Sequence, residues 1–180
     1  MSEKRSSQKG LTLIELLVAM VVGAMIIGAV VASIIQLFTM SDRNSDYNAA
    51  FTQVQNAGYW VSHDAVQITE EPTFDNGNLV TLDWVDGDGD AHQVVYTLQD
   101  ADPADGVEEL QRAYSFEESG VPQPEETIVI AQYIDPANTS CSWDGNVLTL
   151  VIMAQVGDQT VSRTYKVEPR PLEPTPTPPP

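Results

Sequence analysis

Apolar and polar positions follow two different periods along this chain, with a break near residue 72. From Leu16 to Ile35 there are twenty residues without a charge. At about 1.5 Å per residue this run makes a helix of roughly 30 Å, enough to cross a bilayer core. No proline interrupts residues 11–71, and Gly23 and Gly28 are the only glycines inside the apolar run. Beyond Met40 the composition turns polar. Tyr47, Phe51, Val54, Gly58, Val61 and Ala65 recur at spacings of 4, 3, 4, 3 and 4, one face of an amphipathic helix. Asp42, Arg43, Asp46, Gln53, Gln55 and Asp64 fall mainly off that face. Glu70-Glu71-Pro72 predicts that the helix stops by about Ile68. The pattern predicts one helix of about 55 residues with an apolar half and a soluble half.

After Pro72 the period becomes two. Leu79 to Val85 places Val80, Leu82 and Trp84 on one face, and Gln93 to Leu98 aligns Val94, Tyr96 and Leu98. Between them, Asp86-Gly87-Asp88-Gly89-Asp90 supplies turn formers, so the two runs predict a hairpin. Residues 99–126 are acidic, carry Pro103, Pro122 and Pro124, and are expected to be mostly loop with a short strand near Leu110 to Tyr114. Further strands are predicted over Thr127 to Ile134, Asn146 to Val156 and Gln159 to Val167. Hairpins beside a helix with one apolar face imply an α+β fold, an antiparallel sheet laid on the helix. The chain ends in Pro171-Leu172-Glu173-Pro174-Thr175-Pro176-Thr177-Pro178-Pro179-Pro180, expected to be extended and without a core.

Charge narrows the partners. The 180 residues carry 26 acids against 8 bases, a net charge of −18. Such a surface repels phosphate backbones, so no nucleic-acid partner is expected. Lys4, Arg5 and Lys9 stand before Leu11 with only Glu3 against them, so losing residues 1–10 removes a net +2 and leaves −20. A single cysteine, Cys141 in an expected loop, rules out an intramolecular disulfide.

Three readings compete for the N-terminal segment. A cleaved secretory signal has a shorter apolar stretch and a small-residue site after it, and this run is too long. A plain signal anchor explains the basic flank and the length but not Glu15. A carboxylate at the mouth of a membrane-length run is costly unless it is paired or reaches the headgroups. The third reading rests on Gly10-Leu11-Thr12-Leu13-Ile14-Glu15, which resembles the class III signal of type IV prepilins and pseudopilins. The resemblance implies that a prepilin peptidase cuts between Gly10 and Leu11 and methylates the new amine of Leu11. It further implies that Glu15 pairs with such an amine on a neighbouring subunit and sets register. The first mature residue of that family is usually phenylalanine, whereas here it is leucine. Many members carry a proline where this chain has Ala32. Gln53 to Asp64 resembles, more weakly, the matching helix of J-type pseudopilins and W-type minor pilins.

These readings divide the chain into a leader (1–10), a transmembrane and polymerisation helix (11–40), a head (41–168) that includes an amphipathic helix (41–68), and a proline-rich disordered tail (169–180). The expected protein is a single-pass subunit in the cytoplasmic membrane, with its N-terminus cytoplasmic before processing. It then joins an extracytoplasmic filament with other pilin or pseudopilin subunits, in a pilus or a type II secretion system, as a minor priming or tip subunit. A major filament subunit is one alternative. A monomeric membrane-anchored binding domain is another.

Little chemistry is legible beyond this. Asp86, Asp88 and Asp90, with Asp83 nearby, put hard oxygen donors at alternate positions that could hold Ca²⁺. The EF-hand pattern fails, because Ala91 stands at its glycine position and Thr97 at its final glutamate; a solvated turn explains the same residues. The two histidines, His63 and His92, belong to no catalytic motif, His63-Asp64 is expected to be a surface pair, and no enzyme or other cofactor is expected.

Overall fold

A computed structural model of the chain describes residues 12–75, 77–100 and 106–170. The leader, Leu11, Pro103 and tail residues 171–180 therefore lie outside the described residues. Among the described residues a 53-residue helix, α1 (Leu13–Ala65), precedes eight strands. The arrangement is α+β and pilin-like: a long N-terminal helix, apolar in its first part, whose last turns pack on an antiparallel sheet. The chain divides into two compact units, Met1–Arg43 and Asn44–Pro180.

In the first unit the helix has no core of its own. None of its most apolar stretch is buried. The hydroxyls of Ser33 and Thr39 donate to the carbonyls of Ala29 and Ile35, four residues back, at 2.9 and 3.0 Å. That bonding satisfies two polar groups without water. A Cβ added at Gly23 or Gly28 meets nothing within 4 Å.

In the second unit the end of α1 forms one wall of the core. Ala50, Val54, Ala57, Gly58, Val61, Asp64 and Ala65 are its buried residues. This face is rotated from the predicted one: Tyr47 is 46% exposed and Phe51 half-buried. The contact line runs through small residues because the helix lies close to the sheet. At Gly58 the ring of Tyr165 occupies the space a Cβ needs, and the Tyr165 hydroxyl donates to the Val54 carbonyl at 3.2 Å. The helix ends at Ala65, three residues before the expected stop.

The strands are β1 (Val80–Val85), β2 (Ala91–Gln99), β3 (Glu108–Glu118), β4 (Val121–Pro122), β5 (Glu126–Ile134), β6 (Ser140–Trp143), β7 (Leu148–Val156) and β8 (Gln159–Val167). The order is β1-β2-β3-β5-β7-β6, with β4 beside β3 and β8 beside β7. The β1–β2 and β7–β8 hairpins match the alternation in the sequence. Two expectations are corrected. Residues 108–118 are not mostly loop but a full strand that pairs with β2 from Ala91↔Glu117 to Gln99↔Glu109. Its core-side row of Leu110, Arg112 and Tyr114 hides behind a charged residue, which breaks the apolar alternation. Cys141 is likewise not in a loop. It lies in β6, paired with Leu150, and burial pushes its thiol up to about 12.

Candidate functional site

The N-terminal element is built on Thr12 and Glu15. Thr12 precedes the first helical residue, and both its N–H and its hydroxyl donate to Glu15 Oε2 at 2.9 Å. In return Glu15 N–H points at Thr12 Oγ1, 3.4 Å away. Thr at the cap with Glu three residues on is a capping box, which satisfies donors that a helix start leaves unpaired. Glu15 therefore has a local role that the sequence reading missed, although the Thr-x-x-Glu spacing was there to show it. Behind it the apolar surface from Leu13 to Met40 is exposed. The cleavage pair Gly10 and Leu11 lies outside the described residues.

The acidic loop is engaged with its own backbone. Asp86 Oδ1 accepts from the N–H groups of Asp88 and Asp90, both at 3.0 Å, and Oδ2 lies 3.2 Å from His92 Nε2. The Asp90 backbone bond and then His92 hold the Asp86 carboxyl below the usual carboxylate range. Asp90 Oδ1 accepts from Ser119 N–H at 2.8 Å, and Asp83 Oδ1 from Gln93 Nε2 at 2.8 Å. Among the described residues no three His, Cys, Asp or Glu side chains gather as a metal-holding group. Asp86, Asp88 and Asp90 stand around a turn whose Gly89 has a φ of +89°. His92 stacks between Trp84 and Phe116, at 5.2 and 5.8 Å between ring centroids.

The largest departure from the sequence reading is Asp64. It is 1% exposed rather than part of a surface pair. It accepts from Tyr96 OH at 2.5 Å, from Arg112 Nε at 2.7 Å and from Arg112 Nη2 at 3.3 Å, with His63 Nδ1 3.2 Å away. Arg112 in turn lies 5.0 Å from the Trp60 ring centroid and 5.2 Å from that of Tyr114. Burial opposes the guanidinium charge, but the bonds and charge of Asp64 outweigh it and raise the Arg112 pKa. Burial first, then the Asp64 charge, push the Tyr96 hydroxyl far above its ordinary value. The cluster joins α1 to β2 and β3 through charge rather than apolar contact. A buried carboxylate survives this way only when paired and fully bonded.

A family profile matches residues 5–34, spanning the basic flank, the cap and the apolar helix. Residues 5–34 carry the prokaryotic N-terminal methylation motif. The motif supports a type IV pilin-like subunit, and it fits the one helix among the described residues that is long and apolar enough to cross a membrane. No curated protein and no solved structure matches the chain.

Proposed function

We propose that this chain is a structural subunit of a type IV pilus-like or pseudopilus filament, stored in the membrane as a precursor and assembled through its N-terminal helix. In this reading prepilin peptidase cuts between Gly10 and Leu11 and methylates Leu11, and residues 11–40 bundle with other pilin or pseudopilin subunits. The observation that carries the proposal is the methylation motif on a helix whose apolar stretch is unburied among the described residues. Lipid covers such a surface before assembly, and neighbouring helices cover it afterwards. A priming or tip position is supported by the resemblance of Gln53 to Asp64 to J-type and W-type subunits. The head then supplies the outer surface.

Glu15 has two roles here that one pair of substitutions separates. Glutamine at the third helical position still completes a capping box but carries no charge. Glu15→Gln therefore keeps the helix start while removing the partner of a neighbour's Leu11 amine. We expect Glu15→Gln and Glu15→Ala both to lose incorporation into sheared filaments, measured by immunoblot against membrane-retained protein. If Glu15→Gln assembles like the unaltered chain and only Glu15→Ala fails, capping suffices and the charge-pairing role is wrong.

A further inference from the structure

The sheet closes one of its edges with its own chain and leaves the other open. Outside β1, Thr81 exchanges backbone bonds with Thr73 at 2.8 and 3.1 Å, and the Asp83 carbonyl accepts from Thr69 N–H at 3.1 Å. Val85 N–H donates to Thr69 Oγ1 at 3.1 Å. At the far side, residues 148–151 of β7 pair with both β6 and β8, so β8 is the outermost strand. Among the described residues β8 has no backbone partner beyond β7. An open strand edge presents unpaired N–H and C=O groups to whatever lies alongside.

Charge singles out the same edge. From Asn44 to Arg170 the sequence carries 22 acids and four lysines or arginines. Arg112 is paired with buried Asp64. The other three, Arg163, Lys166 and Arg170, lie on β8 or just after it, are exposed, and form no ion pair among the described residues. Arg163 is held over the Phe51 ring at 4.6 Å. Charged side chains on an edge strand commonly keep other copies away. These have the wrong sign for that, because on a strongly anionic molecule cations attract the copies that acids repel.

The complementary surface is on the same chain, at the opposite edge. Asp86 and Asp88 in the β1–β2 turn and Glu117 and Glu118 at the end of β3 are exposed. The bond from Ser119 N–H to Asp90 Oδ1 joins the two turns into one acidic corner. We propose that β8 of one copy docks on this corner of a second copy, with Arg163 and Lys166 against the carboxylates of Asp88, Glu117 and Glu118. Those carboxylates are also acceptors for the open N–H groups of β8. The proposal rests on the filament reading, which supplies copies of the chain in adjacent positions. Its two faces lie on opposite edges of the sheet, so each contact leaves a free face at either end and repeats without closing, as a filament needs. Pairing β8 with β8 instead opposes like charges and closes after two copies.

The test cross-links the full chain in its native envelope, in a Cys141→Ala background carrying Gly87→Cys in the acidic corner and Thr164→Cys on β8. A Cβ at Gly87 meets nothing within 4 Å, and Thr164 is exposed, so both sites accept a cysteine. Sheared filaments treated with a bismaleimide should give a ladder of dimers, trimers and longer species, and either cysteine alone should give none. Lys166→Glu should weaken the ladder about fivefold. Adding Asp88→Lys should restore it, which separates lost pairing from lost folding. An unchanged ladder with Lys166→Glu overturns the charge pairing. No ladder in filaments that contain the double-cysteine chain overturns the contact and leaves the filament reading standing. A dimer from Thr164→Cys alone also overturns it, in favour of a symmetric β8 pair. If the chain is absent from filaments, the filament reading fails, and the same cross-link on the full chain in detergent micelles decides the contact: a ladder keeps it and monomer overturns it.

Discussion

The apolar part of α1 and the head solve the burial problem in opposite ways. The head, Asn44 to Arg170, buries its own core of Val54, Val61, Leu82, Tyr96, Leu110 and Ile152, and closes a charge pair inside it. The stretch from Leu13 to Met40 buries almost nothing, although it is the most apolar part of the chain. Its specificity must come from what surrounds it. Glycines make the same point. Gly58 is required by the Tyr165 ring of its own chain, whereas Gly23 and Gly28 face open space. Substitutions in the head should therefore change stability, and substitutions in the apolar stretch should change assembly.

The largest effect should come from Asp64→Ala. Removing one partner of a buried pair leaves Arg112 charged and uncompensated, at a cost of about 3–5 kcal/mol. Urea denaturation of the head signal should show that loss, while membrane insertion remains normal. A variant with Arg112→Leu added should recover part of it. A loss under about 1 kcal/mol for Asp64→Ala would mean that the pair is solvated and the head is not held as described.

Gly58→Ala comes next and is diagnostic by its sign. Helix propensity favours alanine by about 1 kcal/mol, but overpacking against Tyr165 costs about 1–3 kcal/mol. We expect a net loss, read as a lower melting temperature. Gly23→Ala and Gly28→Ala should leave the head's melting temperature unchanged, with any defect confined to filament incorporation. Equal stability effects at all three positions would erase the contrast between the regions.

The smallest effect concerns pH. Asp86 has a lowered carboxyl pKa in the fold, so its contribution is fully present above the ordinary aspartate value of about 3.9. It is lost as pH falls through the lowered folded value. Asp86→Asn should flatten the acid limb of the stability curve below about pH 4, with a small loss at neutral pH, where the ionised form's contribution is fully present, and convergence with the unaltered chain in acid. An unchanged acid limb would show that the loop's bonds to Asp88, Asp90 and His92 do not favour the ionised form.

Periodicity carried most of the architecture because it reports burial directly. The helix, the β1–β2 and β7–β8 hairpins and the sheet-on-helix arrangement are all legible from apolar residues at regular spacing. It failed where burial is achieved by polar or small residues. Asp64 and Arg112 read as solvent-facing because each alone would be, and only their pairing across 48 residues makes them core. β3 was shortened for the same reason. The predicted helix face held Val54, Gly58, Val61 and Ala65, which are buried, but its edge was set wrongly: Ala50 and Ala57 carry less hydrophobic signal than Tyr47 and Phe51, though close approach needs small side chains. At the N-terminal element the Thr12–Glu15 box was legible, but the unusual cost of Glu15 in lipid pointed only to an intermolecular role.

Processing at the N-terminus is tested most directly by the mass of the N-terminal peptide from protein purified out of its native envelope. A processed filament subunit should give a peptide that begins at Leu11 and is one methyl group heavier than the unmodified sequence. A peptide that still begins at Met1, or a cut within residues 30–40, would contradict the proposed role.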